Sequence, residues 1–107
     1  MINSPIYNNL LLSASYNFPL FFPSYKILEE NREGKEYDSY NDNLLFEGEY
    51  LNGKRNGKGK EYDYNGNIVY EGEYLNGKRN GYGKEYDFNG NIAYEGEYLN
   101  GFKNILE

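Results

Sequence analysis

Rings and charges alternate through the second half of the chain, and the alternation returns every 24 residues. Phe46-Glu47-Gly48-Glu49-Tyr50 reads ring, acid, glycine, acid, ring, and Tyr70–Tyr74 and Tyr94–Tyr98 repeat it. A period of two puts both rings and the glycine on one face of a β-strand and both carboxylates on the other. Gly57–Tyr62 and Gly81–Tyr86 alternate in the same way and supply a second strand per unit. Asn65-Gly66 and Asn89-Gly90 are the strongest hairpin signals, since a type I′ turn needs positive φ at both central residues. Asn52-Gly53 and Asn76-Gly77 mark the other end of the unit, in a longer loop that takes in Lys54-Arg55-Asn56 or Lys78-Arg79-Asn80. No window shows helical periodicity with caps.

Counting outward from Asn65-Gly66 sets Tyr62 opposite Val69, Lys60 opposite Glu71 and Lys58 opposite Glu73, with Gly59 facing Gly72 and Gly57 facing Tyr74. The two opposite-charge pairs are worth roughly 0.2–1 kcal/mol each. A four-residue loop on the next side sets Gly72 opposite Gly83 and Tyr74 opposite Gly81. The rings of Tyr70 and Tyr74 then stand on a floor of glycines. One unit has nothing to bury its rings against, but neighbours presenting the same rings at the same spacing do. The fold expected is all-β: an elongated, single-layer, twisted antiparallel sheet of tandem 24-residue β-hairpin repeats.

The repeats divide the chain. Residues 1–24 form an N-terminal apolar segment or cap, 25–45 a degenerate repeat, 46–69 and 70–93 full repeats, and 94–107 an incomplete terminal repeat. Tyr25–Tyr37 aligns on Tyr50–Tyr62, and one extra residue near Ser39 precedes the return to register at Phe46. Leu10–Phe22 is too short to span a bilayer and contains Asn17 and Pro19. Without a preceding Lys or Arg it reads as a packing segment rather than an export signal.

Composition sharpens this picture. The chain of 107 residues is polar, yet 19% of it is aromatic, which disordered segments are not. A net charge of -6 argues against nucleic acid, and against acidic membranes unless the charges separate onto different faces. There is no His and no Cys. That removes the usual nucleophile–base pairs and thiolate metal sites. Each carboxylate has a copy one unit away, as a solvated face does and a unique catalytic pair does not. Gly57-Lys58-Gly59-Lys60 lacks the spacing of a phosphate loop, and Asp63-Tyr64-Asn65-Gly66-Asn67 lacks that of a calcium loop. No enzyme activity and no cofactor are expected.

The string Tyr70–Gly83, Tyr-Glu-Gly-Glu-Tyr-Leu-Asn-Gly-Lys-Arg-Asn-Gly-Tyr-Gly, resembles the MORN repeat. Phe46–Gly59 and Tyr94–Gly101 carry the same spacing. Tyr50, Tyr74 and Tyr98 stand where Trp is common in that family, and the Lys-Glu-Tyr-Asp segment is similar to bacterial variants that include antitoxin-like proteins. The resemblance implies a sheet of successive hairpins and a cytoplasmic scaffold or adaptor, at the membrane periphery in some members through phosphoinositides.

Three uses compete at the level of residues. Phe46, Tyr50, Tyr70, Tyr74, Tyr94 and Tyr98 are candidate aromatics for gripping a protein or peptide partner, if any ring stays exposed. Lys54, Arg55, Lys78 and Arg79 are candidate cations for lipid headgroups. The sheet edges offer a route to homo-oligomers. A protein-binding scaffold is the preferred reading; a membrane adaptor and an antitoxin acting by direct binding are the alternatives.

Overall fold

The computed structural model describes residues 23–29 and 32–105. Eight strands follow one another: β1 (Ser24–Leu28), β2 (Glu33–Asp38), β3 (Leu44–Leu51), β4 (Lys54–Tyr62), β5 (Ile68–Leu75), β6 (Lys78–Tyr86), β7 (Ile92–Leu99) and β8 (Phe102–Lys103). They lie side by side in chain order as one open antiparallel sheet, elongated to 49 × 27 × 26 Å. The all-β sheet of successive hairpins is as the repeat predicts. The segment Leu10–Phe22 lies outside the described residues.

Both kinds of turn differ from expectation, in opposite directions. Asn52-Gly53, Asn76-Gly77 and Asn100-Gly101 have positive φ at both residues, so these are the tight type I′ turns. At Asn65-Gly66 only the glycine does. There the Asp63 carboxylate accepts the backbone N–H of Asn65 and of Asn67 at 2.9 Å, and the Gly66 N–H returns to the Asp63 carbonyl. An Asp so placed converts the signal into an Asx-closed loop with one more residue.

The longer loop does not spoil the register, because a bulge cancels it. Tyr62 pairs with Ile68, not Val69, and Glu61 pairs with Tyr70, which leaves Val69 as the extra residue. Beyond it, Lys60–Glu71, Gly59–Gly72, Lys58–Glu73 and Gly57–Tyr74 pair as counted from sequence. On the other side, Gly72 faces Gly83 as expected, but Tyr74 faces Arg79 rather than Gly81. The tight turn starts β6 two residues early, and an irregularity between the Gly72 and Tyr74 pairs absorbs them. Gly81 sits in that irregularity at φ 106°, and Gly57 occupies the same place at 108°. In the degenerate repeat Arg32 takes this role at φ 73°. The extra residue near Ser39 lies in the Asp38–Asn43 loop, where Asp42 supplies the positive φ that Gly66 supplies one unit later.

The core is a single layer of rings on one face. Phe46, Tyr50, Tyr70, Tyr74 and Tyr98 are buried, with Leu28 and Tyr94 packed against them. A row of glycines runs beneath, pairing strand to strand from Gly34 through Gly48, Gly59, Gly72 and Gly83 to Gly96. A Cβ on Gly83 would lie 2.6 Å from Tyr70 Cε1, and one on Gly59 would lie 2.6 Å from Phe46 Cε1. Glycine, which weakens an ordinary strand, is required here so that each ring can lie on the backbone. Gly83→Ala is expected to lower stability by about 1–3 kcal/mol through overpacking. A urea midpoint no lower than that of the parent would contradict it.

Candidate functional site

Both faces and both turn edges carry repeated chemistry. On the aromatic face the six rings singled out from sequence form one unbroken zigzag. It runs Tyr50, Phe46, Tyr74, Tyr70, Tyr98, Tyr94, each ring meeting the next edge-on at 5.1–5.7 Å. This T-shaped geometry sets the positive edge of one ring on the negative face of its neighbour. Five of the six are under 5% exposed. Intramolecular packing therefore occupies the aromatics considered as partner anchors, and Tyr94 alone among them is half-buried.

Arg55 and Arg79 belong to this face, not to a solvent loop. Pairing opposite Tyr50 and Tyr74 turns both guanidiniums inward. Arg55 lies 4.1 Å over the Phe46 ring and Arg79 4.1 Å over that of Tyr70. Arg55 donates to both oxygens of Glu36 at 2.8 and 2.9 Å, and Arg79 to both oxygens of Glu61 at 3.0 and 3.1 Å. Arg55 also approaches Glu61 at 3.7 Å. Tyr50 donates its hydroxyl to Glu36 at 2.5 Å, Tyr74 to Glu61, and Tyr98 to Glu85 at 3.4 Å. The third unit replaces Arg with Lys103, which bonds Glu85 at 2.8 Å. Lys54 and Lys78, the other two headgroup candidates, are exposed beside the tight turns.

This ladder of carboxylates, rings and guanidiniums sets the response to pH. Burial pushes the Glu36 and Glu61 carboxyls up, but the hydrogen bonds from Arg and Tyr outweigh it, and both end below the usual carboxylate range. Their stabilisation is full above the unfolded value of ~4.3 and is lost as pH falls through the depressed folded values. Tyr50 and Tyr74 have the opposite sign. Burial, then the bond to a carboxylate, raises both hydroxyls well above their ordinary value. Their contribution is full below pH ~10 and is lost above it. Burial similarly raises Tyr70 to about 12. The melting temperature is expected to be flat from about pH 5 to 9 and to fall on both sides. A rise in melting temperature below pH 4 would contradict the acid limb.

The opposite face is charged and hollow. A trough of about 760 Å3 crosses it from β2 to β6. Its floor is the backbone of Gly34, Gly48, Gly59 and Gly72. One rail follows successive cross-strand partners, Lys35, Glu47, Lys60, Glu71, Lys84 and Glu95, and alternates strictly in sign. Although Lys60 and Glu71 are paired in register as the sequence predicts, no salt bridge joins the members of this rail among the described residues. The carboxylates turn to tyrosine hydroxyls instead: Tyr62 donates to Glu47 at 2.6 Å, Tyr86 to Glu71 at 3.1 Å, and Tyr82 to Glu95. Period-two alternation places these residues on one face, but the curvature that hollows that face has no local sequence signal.

The two turn edges differ in charge. Three turns of one edge, residues 51–56, 75–80 and 99–104, contain no carboxylate, while the β1–β2 turn on that same edge carries Glu29 and Glu33; the opposite turns carry Asp38, Asp42, Asp63 and Asp87. Leu51, Leu75 and Leu99 are 41%, 50% and 57% exposed at the three tight turns, next to Lys54, Lys78 and Phe102. The charges separate only along the part of this edge that the three tight turns form, so the cationic margin there is short.

Comparison with known families gives three consecutive matches to the MORN repeat, at residues 46–68, 70–92 and 94–104. No curated protein matches the chain. The matches begin at Phe46, Tyr70 and Tyr94, the rings that start each 24-residue unit, and end each time past the hairpin they define. MORN repeats form non-catalytic modules, often for protein or membrane binding. Among the described residues no helix is long and apolar enough to cross a membrane. With its repeats matched over more than half its length, the chain belongs to the MORN repeat family.

Proposed function

We propose that the chain is a non-enzymatic scaffold or adaptor that binds a protein partner on its charged face. The observation that carries this is the 760 Å3 trough running across five strands. The ring face is filled by its own packing, so an interface there would have to displace the core. The trough is open, walled by charged side chains, and built on hydrogen-bonded strands that hold its geometry before a partner arrives, which limits the ordering cost of binding. Its test is affinity capture from cell extract with two variants. A partner lost from Lys60→Glu with Glu71→Lys, but retained by Lys54→Ala with Lys78→Ala, supports the trough. A partner indifferent to both pairs of changes sinks this reading.

The three carboxylate-free tight turns favour a second reading, a cytoplasmic adaptor at a membrane surface. Leu51, Leu75 and Leu99 would enter the interfacial layer while Lys54 and Lys78 meet anionic headgroups, each cation contributing about 1 kcal/mol. Arg55 and Arg79 are held by Glu36 and Glu61, so the edge has two available lysines rather than four cations. Flotation with phosphoinositide vesicles separates the readings: binding that survives Lys54→Ala, Lys78→Ala and Leu75→Ala together removes the membrane adaptor.

A further inference from the structure

We propose that the trough takes an extended, polyproline-type segment of mixed charge, with an acidic side chain at every third position. This rests on the protein-binding reading above and names the chemistry of the partner. The lysines of the alternating rail, Lys35, Lys60 and Lys84, stand on β2, β4 and β6, with Glu47 and Glu71 on the strands between them. Antiparallel strands lie ~4.8 Å apart, so these lysines recur at ~9.6 Å along the trough. The spacing holds at the middle of the strands, where sheet twist displaces neighbours least.

Few polypeptide conformations repeat on that interval. A β-strand returns a side chain to the same side every ~6.7 Å, and an α-helix every turn of ~5.4 Å. A polyproline helix has three residues per turn and rises ~3.1 Å per residue, so it returns every ~9.3 Å. Over the two intervals from Lys35 to Lys84 the mismatch is only ~0.6 Å, within the reach of a lysine side chain.

Charge complementarity supplies the rest. Tyr62 and Tyr86 hold the Glu47 and Glu71 carboxylates, and among the described residues no carboxylate forms a salt bridge with Lys60 or Lys84. Their ammonium groups are left for an incoming acid. Across the glycine floor stand Glu33, Glu49, Lys58 and Glu73, a wall that is net acidic and suits a base at the next position of the triplet. The third position faces outward and tolerates proline, whose fixed φ prepays part of the ordering cost.

The experiment uses the full chain and fluorescently labelled twelve-residue peptides of identical composition. One is four Glu-Lys-Pro triplets; the other holds the same residues in an order without the three-residue period. The triplet peptide is expected to bind at least about tenfold more tightly, and to lose that advantage in the Lys60→Glu, Lys84→Glu variant, with binding weakening as salt rises. Circular dichroism on the variant establishes that the sheet is intact, and single reversals at Lys60 or Lys84 replace it if it is not. Equal affinity for the two peptides overturns the inference, as does an advantage that survives the lysine reversals. If the peptides bind equally while reversal of Lys60 and Glu71 still abolishes partner capture, the protein-binding reading stands and this inference alone falls. Sedimentation that depends on concentration, and loses that dependence on the same lysine reversals, would assign the trough to a second copy of the chain and also overturn it.

Discussion

Tyr70→Ala is expected to remove about 3–5 kcal/mol of stability, the range for deleting a fully buried aromatic side chain. Among the described residues, Tyr70 and Phe46 are the two large side chains with no exposed surface. Tyr70 meets Tyr74 at 5.5 Å and Tyr98 at 5.2 Å, and Arg79 covers it. It is therefore a central ring of the zigzag and the link between the units on either side. Small domains hold about 5–15 kcal/mol in total, so one such loss takes a large part of it. In a repeat protein the effect also propagates, because each unit is stabilised by its neighbours. The urea transition, followed by circular dichroism, should move to lower concentration and broaden as the two halves uncouple. Tyr70→Phe is the control. The hydroxyl makes one long bond to the Glu73 carbonyl at 3.3 Å, and Phe46 fills the same place one unit earlier. Its cost should be at most about 1 kcal/mol. Equal midpoints for the Ala and Phe variants would refute the account of the core.

Glu61→Ala carries the second large effect, about 2–4 kcal/mol. Breaking a buried pair by removing one partner costs about 3–5 kcal/mol, and the figure is lowered here because Glu61 keeps 21% of its side chain exposed. Glu61 receives two bonds from Arg79, the Tyr74 hydroxyl and the outlying contact from Arg55. Its removal strands the Arg79 guanidinium over an aromatic ring with no carboxylate partner among the described residues, while Arg55 keeps Glu36. The repeat supplies an internal comparison. Glu85 stands at the same position one unit on, but its partner is Lys103, and both are more exposed. Glu85→Ala should cost only about 0–1 kcal/mol, as surface pairs do. Urea denaturation of the two variants at neutral pH checks the order, and a Glu85 loss equal to that of Glu61 would show that burial does not govern the ladder.

Much of this was legible from the chain alone, for reasons that differ residue by residue. The rings at Phe46, Tyr50, Tyr70, Tyr74, Tyr94 and Tyr98 declare a shared face because strand side chains alternate with a period of two. The glycine row followed from counting, and the count survived a misread turn because the bulge at Val69 returns the residue that the Asp63 loop adds. Arg55 and Arg79 were misplaced because the chain writes Asn-Gly at both ends of every unit. The distinction lies in Asp63 and Asp87, whose carboxylates close the longer loop. With the tight turn assigned to Asn76-Gly77, Arg79 falls opposite Tyr74 and inside the fold. Glu36, Glu61 and Glu85 passed for surface charges because they recur like them. Their partners lie 13–19 residues away in sequence and are brought close only by the sheet.

Repetition, strand alternation and the interdependence of units are local or periodic properties, so the amino-acid order alone determines them: a ring, a glycine and a charge each repeat where a stacked hairpin needs them. Which charges turn inward, how far the rings are consumed by one another, and that the charged face is hollow are decided only when eight strands lie together. Those outcomes depend on contacts between units and on accumulated twist, energies that no single 24-residue segment contains.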